Sequence, residues 1–268
     1  MSEAGEQESS DLAAEQLGLV LARIPHFIER YAAIALVRPE PGSGLASDDD
    51  ILNPLEASQL VATCLAASTD YLSAIETLMV EDGEPLLYTF AQYPLLRSLL
   101  EASSMVLWLL GPGDQRERVL RNLRARYTES LEDARLFREV PADEARASKG
   151  FESQKRARAI VADRTGIGER EFEGQKMGFG EVVEGGQTAS GDTTAKAAWQ
   201  LMSGFAHSFT SRSRMLSTVV PILDAGERAN RSAMSAHPKI VLFALNSAMS
   251  AFDSALTLVE KRSRGSGG

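Results

Sequence analysis

The sequence YPLLRSLLEASSMVLWLL, residues 93–110, determines how this chain folds. Its leucines, alanine and methionine favour helix, a proline is tolerated in the first helical turn, and the Gly-Pro-Gly sequence that follows ends the pattern. Apolar side chains cover most of the circumference, so we predict a helix that is buried on most sides. Arg97 and Glu101 interrupt this apolar surface, and a buried arginine requires a partner.

The polar groups of this helix share one stripe with a tryptophan. At about 100° per residue, one face carries Arg97, Glu101, Ser104 and Trp108. Glu101 lies one turn after Arg97 and is the available ion-pair partner. Two interpretations fit the stripe. It is either a polar pocket floored by this pair and walled by Trp108, or the solvent-facing side of an amphipathic helix.

A second helix, predicted over residues 192–216, carries a similar stripe. Trp199, Ser203 and His207 follow one another at four-residue intervals, which places them on one helix face. The parallel suggests that the two stripes face each other, with Trp199 as a second wall. A carboxylate beside His207 would orient its ring. The alternative is a buried histidine that serves packing and hydrogen bonding.

The remaining periodic segments also have helical spacing. We find no convincing strand alternation and no internal repeat, so we predict an all-α bundle of about six to eight helices. A single domain is expected over residues 11–262, with disordered ends at 1–10 and 263–268. Residues 166–191 contain eight glycines and little periodicity, which predicts a long loop or lid.

Charge and cysteine content limit the possible partners. A formal net charge of −9 argues against general binding to nucleic acid or to an anionic membrane surface, although it permits a local basic patch. The single cysteine, Cys64, excludes an internal disulfide, and its apolar helical surroundings predict a buried, inert thiol. The first residues lack the basic start and apolar core of a signal peptide, so we expect a cytoplasmic protein.

The last predicted helix begins at Pro238 and is strongly apolar. Residues 240–259 contain one charge, Asp253, so a membrane span has to be considered. Asn246 and three serines disfavour insertion, and we therefore expect no membrane contact. Close helix packing is predicted along a seam of small residues, Ser247, Ala251 and Ala255. This helix is either a core helix of the bundle or the contact face of a homodimer.

The sequence lacks the usual signatures of metal, nucleotide or hydrolase sites. Its three histidines are far apart, it has no HExxH, GxSxG or phosphate-loop motif, and we expect no cofactor. The acidic residues 48–50 are expected to be solvated. Several arginines follow residue 114 on a polar helix. We interpret them as a solvated, ion-paired face, or alternatively as an anion or RNA-backbone patch in which Arg121 and Arg124 bind phosphate.

Two resemblances add to these observations. Arg231-x5-His237 resembles the Arg-x4–6-His motif of the higher eukaryote and prokaryote nucleotide-binding family, which implies a helical ribonuclease. Residues of roughly 90–210 are similar to a group of uncharacterised bacterial helical proteins, on the basis of an Arg-x3-Glu helix and a later Ser-x3-His helix. That similarity implies that one site is formed by Arg97, Glu101, Ser203 and His207.

We therefore expect a helical binding or interaction protein rather than an enzyme, with that polar cluster as its site and the two tryptophans as walls. The alternative is an RNA-acting enzyme that uses His207 or His237, with phosphate held by Arg121 and Arg124.

Overall fold

The computed structural model describes residues 3–35, 38–139, 144–221 and 232–265. These ranges form an all-α bundle, as predicted, with two short antiparallel hairpins. They contain twelve helices, more than the six to eight expected: α1 (Glu3–Leu21), α2 (Ile24–Ala35), α3 (Gly44–Leu52), α4 (Ala57–Met79), α5 (Gln92–Leu110), α6 (Gln115–Glu139), α7 (Glu144–Thr165), α8 (Glu169–Glu173), α9 (Phe179–Ser190), α10 (Ala195–Ala206), α11 (Thr210–Leu216) and α12 (Pro238–Ser263).

The two hairpins were not predicted from the sequence. The first pairs β1 (Val80–Glu81) with β2 (Glu84–Pro85), and the second pairs β3 (Ser217–Pro221) with β4 (Ser232–Ala236). Both are too short to build a sheet-based core. Thr89 ties the second hairpin to the bundle, because its hydroxyl donates to the Met234 carbonyl at 3.0 Å.

Helix α5 lies at the centre of the bundle. It packs against α4, α6, α9, α10 and α12. Every side chain from Ser103 to Leu110 is buried, which confirms the prediction for the second half of the helix. The first half keeps a partly exposed edge, and Arg97 and Glu101 lie on it.

Arginines from other segments satisfy the buried C-terminal end of α5. The last carbonyls of a helix have no partner within it and carry partial negative charge. Arg121 Nη1 donates to the Trp108 carbonyl at 2.8 Å, and Arg262 Nε donates to the Leu110 carbonyl at 3.2 Å. Arg118 Nη1 donates to the carbonyls of Pro112 and Gly113, each at 3.0 Å. The Gly-Pro-Gly turn is thus held by cationic side chains from two helices.

Two expectations about irregular segments are wrong. Residues 3–10 belong to α1 and are not disordered. Residues 166–191 are not a long loop, because they contain α8 and α9. The glycines of α9 permit close packing: a β-carbon on Gly185 would lie 2.4 Å from Trp108 Cδ1, and one on Gly186 would lie 3.0 Å from Ser104 Cβ. The glycine content that predicted a loop instead lets α9 approach α5 closely.

The apolar helix α12 is a core helix of the bundle. Among the described residues it is the helix long and apolar enough to cross a membrane, with a mean hydropathy of 1.4, yet 56% of that window is buried within the chain. The predicted seam of small residues is fully used inside the protein, since Ser247, Ala251 and Ala255 are all buried. A homodimer through residues 240–259 stays a prediction, restricted to the outer face of α12. Residues 266–268 of the predicted tail lie outside the described ranges.

Burial makes Cys64 a weak nucleophile. Its thiol lies on α4, and desolvation raises its pKa from 9.0 to about 12. Because the thiolate is the reactive form, little of it is present at neutral pH. This agrees with the predicted inert thiol, but Cys64 is half-buried and not fully buried as expected.

Asp48 joins α3 to α6 through a buried ion pair. Its side chain is 1% exposed and that of Arg118 is 6% exposed. Arg118 donates from Nε to Oδ2 at 2.6 Å and from Nη2 to Oδ1 at 2.8 Å. The expectation that residues 48–50 are solvated is therefore wrong for Asp48, because a buried arginine requires a carboxylate.

We predict that Asp48→Asn lowers the free energy of unfolding by roughly 3–5 kcal/mol, since it leaves the buried Arg118 guanidinium without its counter-charge. Urea denaturation measures this change. The matched control is Asp50→Asn two residues away, because Asp50 is exposed. Equal effects of the two substitutions would contradict the assignment.

Candidate functional site

The helix predicted over residues 192–216 is divided in two at its histidine. α10 ends at Ala206, His207 is its C-cap residue, and α11 starts at Thr210. Between them Ser208 has a φ of +53°, in the left-handed region that non-glycine residues rarely adopt. The turn leaves His207 and Phe209 exposed at the end of α10. The interpretation of His207 as a buried packing histidine is therefore wrong.

Glu101 connects α5 to α10. Its Oε1 accepts a hydrogen bond from Arg97 Nε at 2.9 Å and another from Trp199 Nε1 at 2.7 Å. The guanidinium carbon of Arg97 lies 5.8 Å from the centre of the Trp199 ring, within the range of a cation–π contact. The Arg97 and Glu101 side chains are 24% and 13% exposed. The pair is therefore shielded by Trp199 but still reachable from solvent.

His207 completes this group at its outer edge. Its Nε2 lies 3.5 Å from Arg97 Nη1, at the limit of hydrogen-bond distance. The structure thus places the stripes of α5 and α10 against each other through Arg97, Glu101, Trp199 and His207. We call these four residues the Arg97 cluster. It presents an arginine fork and an imidazole side by side at the protein surface.

Two of the sequence-selected residues lie apart from this cluster. Ser203 is half-buried, and its hydroxyl donates to the Trp199 carbonyl at 2.7 Å within α10. Trp108 is buried against Gly185 of α9. Among the described contacts, none joins the side chain of Ser203 or Trp108 to Arg97, Glu101 or His207. The expectation that both tryptophans wall one site is wrong: Trp199 contacts the cluster, and Trp108 belongs to the core.

The candidate phosphate binders Arg121 and Arg124 lie beside Trp108. Their guanidinium carbons are 5.2 and 5.6 Å from its ring centre. Arg121 Nε donates to Glu117 at 2.7 Å, and Arg124 pairs with both oxygens of Glu181 at 2.8 and 2.9 Å. An anion bound here would have to compete with two carboxylates. Both arginines therefore connect helices in this structure.

The Arg231-x5-His237 motif is only half visible, because Arg231 lies outside the described residues. His237 is the N-cap of α12, and its Nδ1 accepts the Lys239 backbone N–H at 3.3 Å. One ring nitrogen thus caps a helix, a common structural use of a side-chain acceptor at this position.

Sequence reasoning missed two cations next to the cluster. Lys196 Nζ lies 5.4 Å from the centre of the Trp199 ring. Arg212 Nη1 donates to the Gln200 carbonyl at 2.6 Å, and its guanidinium lies 6.0 Å from the centre of the Phe209 ring. The available signal was the absence of Asp and Glu from residues 193–223, in a chain with 37 acidic residues. This segment is locally basic in an acidic protein.

A cavity of about 340 Å³ lies elsewhere, between α2, α3, α4 and the end of α12. Its walls are mostly apolar, and its polar lining residues include Glu40, Glu260 and Arg264. The cavity shares no residue with the Arg97 cluster. A ligand held by Arg97 would therefore sit in an exposed seam and not in an enclosed chamber.

Comparison with known proteins gives no relative from which a function could be transferred: no family model, no curated protein and no solved structure matches this chain. The chemistry of the Arg97 cluster is therefore the basis for the functional proposal.

We predict that Ser208→Gly stabilises the protein by about 0.5–1 kcal/mol, because glycine adopts a positive φ without the steric cost that serine has. Urea denaturation gives the free energy of unfolding. Ser211→Gly is the control, since Ser211 is also exposed but lies within α11, where glycine destabilises. Destabilisation by both substitutions would show that Ser208 is unstrained.

Proposed function

We propose that this chain is a binding protein that holds an anionic group, a phosphate or a carboxylate, at the Arg97 cluster. The observation that carries the proposal is the position of His207, exposed and 3.5 Å from the Arg97 fork. Arginine and histidine donors placed side by side match the acceptor oxygens of such groups.

Glu101 prepares Arg97 for this role. A guanidinium has five N–H donors in a fixed fork, and Glu101 accepts from Nε only. One Nη1 donor faces His207 Nε2 at 3.5 Å, and the other donors on the two Nη atoms stay available to a ligand. The guanidinium is held in place by Glu101 and by the Trp199 ring. A pre-oriented donor loses less conformational freedom on binding. Because Glu101 also cancels part of the Arg97 charge, we expect weak binding of a simple anion.

The surrounding charge supports an anionic ligand. Residues 193–223 contain no acid, and their basic side chains are Arg212, Arg214 and Lys196, of which Lys196 pairs with Glu184 of α9 at 3.4 Å. Within a Debye length of about 8 Å at physiological salt, such cations raise the local concentration of anions. The anion would thus meet a basic surface despite the net charge of −9.

The described contacts do not favour a catalytic role. Ser203 gives its hydroxyl proton to a backbone carbonyl, and Ser203 and His207 share no side-chain hydrogen bond among the described residues. A serine nucleophile is activated by a base within hydrogen-bond distance in the Ser-His type of site. The RNA-acting enzyme stays an alternative prediction, and its His237 is used here as a helix cap.

The test uses the indole N–H of Trp199 as a reporter, since this group donates to Glu101 inside the cluster. Its cross-peak in a ¹H–¹⁵N spectrum is assigned by its loss in Trp199→Phe. We expect a saturable shift on titration with inorganic phosphate or pyrophosphate, and no such shift with chloride at the same ionic strength. A cross-peak that does not move with either phosphate probe would refute the proposal.

Two variants locate the binding site. Arg97→Gln removes the guanidinium charge and His207→Gln removes the imidazole, and a neutral amide takes the place of each group. Each variant is expected to weaken pyrophosphate binding about tenfold or more, the usual effect of losing a charge-assisted hydrogen bond. His207 is exposed, so its substitution should leave the fold intact. The matched control is Arg135→Gln, a change at an exposed arginine of α6. Equal affinity in all three variants would contradict the assignment.

A further inference from the structure

An exposed aromatic ring stands directly beside the Arg97 cluster. Phe209 is 53% exposed, and its ring centre lies 5.9 Å from that of His207, with 33° between the two planes. It follows Ser208, whose left-handed backbone turns the chain sharply between α10 and α11. An exposed large apolar side chain and a strained residue at the same turn are a combination found at binding sites.

Arg212 gives this ring a cationic neighbour. Its guanidinium carbon lies 6.0 Å from the Phe209 ring centre, and its side chain passes over Gly204, where a β-carbon would come within 2.3 Å of Arg212 Cδ. Because residue 204 is a glycine, the Arg212 side chain of α11 can lie directly against α10. The exposed phenylalanine consequently has both an imidazole and a guanidinium as neighbours.

These features match the chemistry of a nucleotide better than that of an isolated anion. Nucleic-acid-binding surfaces that do not read sequence combine cations for the phosphates with exposed aromatic rings on which bases stack. Here the cations are Arg97 and Arg212, His207 adds an exposed imidazole, and the aromatic ring is Phe209. One nucleotide unit, with its sugar between base and phosphate, is long enough to touch both Phe209 and His207.

We infer that the anion bound by the Arg97 cluster is the phosphate of a nucleotide unit whose base stacks on Phe209. This inference rests on the proposed anion-binding function. The unit belongs either to a free nucleotide or to single-stranded nucleic acid. The basic segment continues past Phe209 to the exposed Arg214, which is expected to contact the phosphate of a second unit.

An anionic membrane surface fits the same region less well. The exposed apolar side chains of α11 and its N-cap are Phe209 and Met215, at 53% and 76% exposure. α11 has only seven residues, whereas helices that lie in a membrane interface present a long apolar face. Two separated side chains give little area for insertion into lipid.

The experiment compares three probes on the intact protein: inorganic phosphate, AMP and a single-stranded oligouridylate of about ten nucleotides. Affinities come from the Trp199 indole shift for the small probes and from fluorescence anisotropy for the labelled oligonucleotide. We expect AMP to bind about tenfold or more tightly than inorganic phosphate, because base stacking on an aromatic side chain contributes on that scale. Tighter binding of the oligonucleotide than of AMP identifies nucleic acid as the source, and equal binding identifies the free nucleotide.

Variants at the ring test stacking directly. In Phe209→Ala the ratio of AMP affinity to phosphate affinity should fall toward one, whereas Phe209→Tyr should keep it. Phe179→Ala is the matched control. Phe179 is 45% exposed and lies on α9, whereas Phe209 is the N-cap of α11.

The outcomes separate the two proposals. If AMP and inorganic phosphate bind equally well, the nucleotide inference is wrong while anion binding stands. If no phosphate probe binds, both are wrong. The last outcome concerns phosphatidylserine vesicles. If the protein binds them more strongly than the oligonucleotide, and if Phe209→Ala abolishes this binding, Phe209 contacts lipid and the inference is overturned.

Discussion

The burial of α5 is the constraint on which the rest of the structure depends. In a helix covered by five others, a buried charge or an unpaired backbone carbonyl is costly unless a neighbouring segment supplies a partner, because the interior offers no water to replace it. Its C-terminal carbonyls accept from Arg121 and Arg262, and its one carboxylate, Glu101, accepts from Arg97 and Trp199. The candidate site is therefore one of the places where the core satisfies its polar groups.

The pairing of Glu101 with Arg97 and Trp199 explains the geometry of the candidate site. Glu101 fixes one edge of the Arg97 guanidinium and leaves the other edge at the surface, beside His207. The same interaction that anchors α10 on α5 thus orients the donors proposed to hold an anion. A binding side chain has a defined geometry when a neighbouring side chain holds it in place, as Glu101 holds Arg97. The exposed turn at Ser208 lies immediately beyond that anchor.

Much of this architecture follows from sequence pattern alone. The apolar circumference of residues 93–110 predicts a buried helix, and regular spacing places Trp199 and His207 on the partner stripe. Local pattern does not show what a glycine or an acid meets in space. The glycines around Gly185 predicted a loop, but in the structure Gly185 lies in a helix packed against Trp108. Asp48 was predicted to be solvated, but in the structure it forms a buried ion pair with Arg118. Trp108 and Trp199 each share a helical stripe with polar residues, but Trp108 packs against Gly185 of α9 and Trp199 contacts Arg97 and Glu101. Only the packing of the helices determines this difference.

The measurement that tests this account most directly is a double-mutant cycle between Glu101 and Trp199. Urea denaturation of Glu101→Gln, Trp199→Phe and the double variant gives the coupling free energy between the two side chains. We expect a coupling of about 1.5–3 kcal/mol, the scale of a hydrogen bond to a charged, largely shielded acceptor. A coupling near zero would show that Glu101 does not join α5 to α10, and would contradict the assembly of the Arg97 cluster described above.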